Sequence, residues 1–218
     1  MNLDQARFNM IEQQIRPWDL TDTRVLDLLF NVRRELFVPS GYQGLAFADT
    51  QIPLGHGGAM QTPNLEARAL QALAMTPESK LRVLEVGTGS GFMAALLAAN
   101  AEHVWSVEII PELAATAREN LARAGVANVT VSVGNGLDGL QAQGPFDVVM
   151  VSGAVAAIPQ ELLAQLKVGG RLFAVVGQAP AMQAQLVTRS SETHWLTRPL
   201  FETVADCLQS PAQPGFVF

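Results

Sequence analysis

Between residues 81 and 177, short apolar runs alternate with helix-type stretches, and this alternation restricts the fold more than any other feature of the chain. The runs are LRVLEV (81–86), HVWSVE (103–108), VTVSV (129–133), FDVVMV (146–151) and RLFAVVG (171–177). Short, nearly continuous apolar runs of this kind read as strands buried on both faces. Between them lie a small-residue helix at 92–100, a helix over PELAATARENLARAG (111–125) with Pro at its start and Gly at its end, and another near 159–166. Strands alternating with helices specify an α/β fold of Rossmann-like type, with a mostly parallel central sheet flanked by helices. The tail carries strand-like stretches at 184–188 and 194–201. Whether the last forty residues extend the sheet or drape over a cleft is open at this stage.

Ahead of the core, residues 2–15 read as a helix that Pro17 ends. Asp19 or Thr21 is expected to cap a second helix, with Val25, Leu26, Leu29, Phe30 and Val32 on its apolar face. Residues 37–61 read as irregular and glycine-rich, and Thr62-Pro63 as an N-cap and first helical position. Leu65, Ala69, Leu70 and Leu73 give that helix an apolar face. No repeat, low-complexity segment or linker divides the 218 residues. A single domain is expected, with a helical and substrate-loop region at 1–78 packed on a cofactor-binding α/β core at 79–218.

The 49% apolar content can build a sizeable core, and the formal charge of −6 makes nucleic acid a poor partner. Cys207 is the sole cysteine, so an intramolecular disulfide and C-x-x-C metal ligation are excluded. The start, MNLDQARFNMIEQQIRP, lacks a signal-peptide core, and the longest apolar stretch, near 92–101, is short of a membrane span. These features fit a soluble protein of the reducing cytoplasm with no membrane role, and a monomer is the default expectation. His56, His103 and His194 lack metal-ligand spacing, so no metal is expected.

LEVGTGSGF (84–92) lies at a strand-to-helix junction, where a glycine motif acquires meaning. Gly89-x-Gly91-x-x-Ala94 fits a dinucleotide loop, whereas Glu85-x-Gly87-x-Gly89-x-Gly91 fits the loop of S-adenosyl-L-methionine sites, with Thr88 within it. A dinucleotide needs helix-end N–H groups for its pyrophosphate. S-adenosyl-L-methionine instead carries an ammonium that a strand-terminal acid can serve, and Glu85 tips the reading toward it. Glu108 ends the next strand, 17 residues after Gly91, where a carboxylate can accept both ribose hydroxyls. Asn135 and Gly136, after the third strand, can border an adenine edge, although the same residues suit an ordinary turn. VSGAV (151–155) can border the region of group transfer.

Several stretches together resemble the protein-L-isoaspartate O-methyltransferase family. They are QQIRPWDLTDTRVLDLL (13–29), RRELFVP (33–39), LAFADTQIPLGHG (45–57) and RVLEVGTGSGFMAALLA (82–98), with looser likeness at GNGLDG (134–139), 145–155, 158–177 and the terminal FVF. The resemblance implies methyl transfer from S-adenosyl-L-methionine to the free α-carboxyl of isoaspartyl residues in damaged proteins or peptides, leaving S-adenosyl-L-homocysteine. It further implies that Gln61, Thr62 and Asp49 hold the substrate carboxylate. The chain departs from the family pattern in four places, one of them Asn64, where His or an aromatic is common. Gln61 stands where a Ser is expected, Asn135 replaces an acid, and Phe47 replaces a Tyr. The Gln61 departure leaves two alternatives: a diverged member methylating another substrate, and a non-catalytic S-adenosyl-L-methionine-binding protein.

Overall fold

The computed structural model describes residues 2–209. Helix α1 (Leu3–Met10) is capped by the Asn2 side chain and continues through a wider turn at Ile11–Ile15 and a tight one at Arg16–Trp18. Helix α2 (Thr23–Asn31) begins at neither expected cap. Asp22 accepts the Arg24 N–H at 3.0 Å, while Asp19 sits in a left-handed turn at φ 59°.

The glycine-rich stretch is not wholly irregular. It contains a small antiparallel hairpin, β1 (Ile52–Gly55) with β2 (Gly58–Met60), whose turn holds His56 at φ 52° and Gly57 at φ 77°. Two successive positive φ values match the type I′ turn that favours tight hairpins. Helix α3 (Pro63–Leu73) starts as expected, with the Thr62 hydroxyl accepting the Leu65 N–H at 3.3 Å and Pro63 in the first turn.

The core then runs β3 (Leu81–Val86), α4 (Phe92–Ala98), β4 (Ala101–Glu108), α5 (Pro111–Arg123), β5 (Val129–Val133), β6 (Phe146–Val155), α6 (Gln160–Ala164) and β7 (Leu166–Gln178). The tail adds β8 (Ala181–Ser191) and β9 (His194–Glu202). The sheet order is β5-β4-β3-β6-β7-β8-β9, parallel through β7 and antiparallel beyond it. The chain moves outward from β3 to β5, then crosses back to β6 on the other side of β3. Ligands of open α/β sheets bind where the order reverses, beyond the strand C-termini.

Side chains alternate across the sheet, so Val83 and Glu85 face α3 and α4 while Leu84 and Val86 face α6. All seven residues of α4 are buried between the sheet and the N-terminal helices, which explains its all-apolar sequence. Phe37 packs on Phe92 with ring centroids 5.4 Å apart, fastening the N-terminal segment to the start of α4. The described part of the last forty residues does both things left open by the sequence. Two strands extend the sheet, and 206–209 then turn back over the strand ends, with Leu208 N–H donating to Ala154 O at 2.9 Å and Ala154 N–H to Asp206 O at 2.8 Å. The terminal FVF lies outside the described residues. Among the described residues, no helix is long and apolar enough to cross a membrane.

Candidate active site

After β3 the chain turns through residues 87–91, where Gly87, Gly89 and Gly91 have φ values of 90°, 51° and 85°. Glycine adopts this region at little cost, and other residues do not. Above the turn opens a cleft at the C-terminal ends of β3, β4, β5 and β6. Gly87, Gly89, Glu108, Asn135, Gly136 and Ser152 line it. Gln61, the hairpin turn and the returning tail form the opposite wall.

Each predicted cofactor residue has a definite place. Glu108 is buried, and its two carboxylate oxygens accept the N–H groups of Gly89 at 2.8 Å and Ile110 at 3.1 Å. A carboxylate oxygen offers more than one lone pair, so both can still accept from a pair of vicinal hydroxyls. The Asn135 side-chain carbonyl accepts the Leu137 N–H at 3.2 Å, which leaves its NH₂ group to donate. A Cβ on Gly136 would lie 2.7 Å from Val86 Cγ1, so only glycine brings the chain this close to the cleft floor. Gly91 faces away, packing on α5 with Ala117 O 3.3 Å from its Cβ position.

Glu85 and Thr88 lie beneath the glycine turn rather than on the open cleft, bordering a small inner cavity with Gln61, Glu66 and Ser152. The Glu85 carboxyl accepts from Ser106 Oγ at 2.6 Å and Ser152 Oγ at 2.9 Å, and Thr88 Oγ1 meets Ser106 Oγ at 2.6 Å. Complete burial pushes the Glu85 carboxyl up to about 8; the two serine hydroxyls work against that, and the negative charges of Glu108 and Glu66 add to it. Glu85 therefore reaches the cleft through Ser152, which borders both spaces.

The substrate-side residues divide between the cleft and the helix behind it. Gln61 alone of the predicted three lines the cleft. Its Nε2 is 3.5 Å from Ser152 O and its Oε1 is 3.4 Å from Gln51 Nε2, both at the outer limit of hydrogen bonding. Thr62 caps α3, and Asp49 caps the same helix by accepting the Asn64 N–H at 3.1 Å. His56 contributes its backbone carbonyl, which accepts from Gln209 Nε2 at 2.7 Å and ties the hairpin to the tail.

Sequence reading missed Arg34 and Glu66. Arg34 is fully buried, pairs with the Glu66 carboxylate, donates to Gln61 O at 2.7 Å and stacks 4.9 Å from the Phe92 ring centroid. Burial raises the Glu66 carboxyl to about 7 against the opposing pull of Arg34, with the Asp49 charge adding to the rise. The available signal was an acid set within the apolar run of α3. Ser152 lies in the VSGAV stretch expected to border group transfer, whereas Ser106, inside β4, carried no signal of its own.

The set of donors and acceptors suits an adenosine-bearing cation. It offers a carboxylate for vicinal hydroxyls, an amide for a ring edge, a backbone cradle that a Cβ would fill, and no cluster of basic residues for a pyrophosphate. Among the described residues, no group of three or more His, Cys, Asp or Glu side chains is placed to hold a metal.

Comparison with known proteins agrees. The chain is 45% identical over 173 residues to a protein-L-isoaspartate O-methyltransferase of Methanoculleus marisnigri, covering 79% of this chain and 78% of that one. It is 43% identical over 187 residues to one from Koribacter versatilis, covering 86% and 82%. In fold, it superimposes with a TM-score of 0.81 on a Plasmodium falciparum protein described as a putative protein-L-isoaspartate O-methyltransferase in complex with S-adenosyl-L-homocysteine, at 19% identity over 96% of this chain and 99% of that one. The family model for protein-L-isoaspartate(D-aspartate) O-methyltransferase (PCMT) matches residues 5–204, so the chain belongs to that family.

Proposed function

We propose that the protein methylates the free α-carboxyl of L-isoaspartyl residues in proteins and peptides, with Gln61 receiving that carboxylate at the cofactor cleft. The observation that carries this reading is that Gln61, from the N-terminal segment, lines the same cleft as the glycine turn and Glu108. Gly87, Gly89, Glu108, Asn135 and Gly136 would hold S-adenosyl-L-methionine, with Glu85 and Thr88 supporting the turn from below. When bound, the cofactor supplies an electrophilic methyl group on a sulfonium leaving group.

The chain's own residues have modest chemistry to perform. A carboxylate has a reference pKa near ~4 and is already ionised at neutral pH, so no general base is required. The work is to align one carboxylate oxygen and exclude water. Gln61 suits alignment, because its two amide contacts are long and can be exchanged for a substrate carboxylate. Thr62 and Asp49 act behind it, fixing the first turn of α3 and with it the backbone that carries Gln61. The returning tail at 206–209 and the hairpin turn cover the cleft and limit solvent. Lone Cys207, exposed and without a disulfide partner, suits a reducing cytoplasm.

Purified protein supplied with methyl-labelled S-adenosyl-L-methionine and an isoaspartyl peptide should form a base-labile methyl ester. Transfer no greater than that of heat-inactivated protein overturns the reading.

A further inference from the structure

On the far side of α3 from Gln61, a groove of about 470 Å³ opens where the end of that helix and residues Trp18 and Asp19 meet β7, β8 and β9. Arg68 from α3, Arg171 from β7 and Arg198 from β9 line it, against the single acid Asp19. Among the described residues, none of the three guanidiniums has a carboxylate within salt-bridge distance. Arg68 lies 3.3 Å above the Phe201 ring centroid and 5.8 Å from that of Trp18, and Arg171 donates to Ala74 O at 3.4 Å.

Arg68 and Arg171 are both partly buried, and desolvation pulls both guanidinium pKa values below the usual range, with the Asp19 charge opposing this at Arg68 only. Partly desolvated cations without a directly paired carboxylate are unfavourable, and an arriving carboxylate relieves that cost. Guanidinium groups pair with carboxylates in a planar, two-pronged way that lysine does not offer. Trp18 stands 57% exposed at the rim, an aromatic surface open to solvent. The concentration of positive charge is local, since the chain as a whole carries −6.

We propose that this groove is a docking site for an acidic segment of the polypeptide substrate, separate from the cleft that receives the isoaspartyl carboxyl. The substrate class rests on the function proposed above; the charge of the groove does not. Arg171 and Arg198 stand on strands two places apart, roughly 10 Å across the sheet. That spacing suits two carboxylates on an extended chain, which rises about 3.3 Å per residue, better than it suits one small anion. Arg68, on the groove, lies seven positions after Gln61, on the cleft, or about 10 Å along the axis of α3, and the two linings share no residue, so both can be occupied at once.

Binding is tested first without turnover, using the full chain and a fluorescent hexaglutamate peptide. Wild type should bind it, binding should weaken at least tenfold between 50 and 300 mM salt (chosen test concentrations, about a twofold change in screening length), and Arg198→Glu should abolish it. Arg198 is exposed on the edge strand, so the variant should fold; Arg68→Gln gives the same reading from the opposite wall. The kinetic arm compares isoaspartyl peptides carrying a glutamate or a glutamine extension. The glutamate peptide should show a KM at least fivefold lower with wild type, the advantage should vanish in Arg198→Glu, and kcat should be unchanged. Absence of hexaglutamate binding, equal binding by Arg198→Glu, or displacement by inorganic phosphate as readily as by unlabelled peptide overturns the proposal. Binding without any methyl transfer leaves the groove intact and removes the isoaspartyl reading instead.

Discussion

The Arg34 guanidinium donates to the backbone carbonyl of Gln61 at 2.7 Å while its other amino group pairs with Glu66. A buried ion pair thereby sets the backbone of the residue proposed to meet the substrate. Breaking such a pair from one side strands a buried charge, at about 3–5 kcal/mol, whereas replacing both partners with apolar residues is often neutral. Arg34→Met should therefore lower unfolding stability by about 3–5 kcal/mol in urea titration, and Arg34→Met with Glu66→Leu should recover most of it. The double variant should still show a raised KM for the isoaspartyl peptide, because Gln61 has lost its anchor. Equal stability of the single and double variants would contradict this account.

Glu85 makes stability depend on pH. Its folded carboxyl titrates near about 8 and its reference value is 4.5, so the folded state holds a proton that the unfolded chain releases. That contribution is fully present below 4.5 and is lost as pH rises through about 8. Glu85→Gln removes the titration. The difference in Tm, wild type minus Glu85→Gln, should decline steadily from pH 5 to pH 9 (roughly the window between the two protonation limits). A constant or rising difference would count against a buried, protonated Glu85.

Glu108 holds the cofactor loop and faces the cleft. Hydrogen bonds to charged groups contribute about 1.5–3 kcal/mol each, so Glu108→Ala should weaken S-adenosyl-L-methionine binding about ten- to hundredfold by calorimetry. Unchanged affinity would remove Glu108 from the site.

Gly136 is required by packing, whereas Gly41 has nothing within 4 Å of the position a Cβ would take. Gly136→Ala should destabilise the protein by about 1–3 kcal/mol and weaken cofactor binding. Gly41→Ala should change stability by no more than about 1 kcal/mol. Similar effects at the two positions would show that the cleft floor tolerates a side chain.

The parts legible in the sequence are those whose causes are local. The glycine turn follows a strand and precedes a helix, and all three glycines have the positive φ values their spacing suggests. Thr62 and Pro63 announce α3 because a cap and a fixed φ act within a few residues. The hairpin at 52–60 escaped notice because its strands have four and three residues, too few for a two-residue period to register. The Arg34–Glu66 pair joins positions 32 apart, and the Glu85 hydroxyl partners come from β4 and from β6, 21 and 67 positions away. Such pairings exist only after the sheet assembles. Thr62 and Asp49 were placed in the right neighbourhood, but their side chains serve the helix start rather than lining the cleft.

The most direct test of the central claim uses two peptides identical except that one carries an isoaspartyl linkage and the other an ordinary aspartyl linkage. Methyl transfer from labelled S-adenosyl-L-methionine is measured on both, as base-labile ester. The account predicts ester on the isoaspartyl peptide alone, with a sharply higher KM for Gln61→Ala. Equal labelling of both peptides, or no labelling of either, would contradict it.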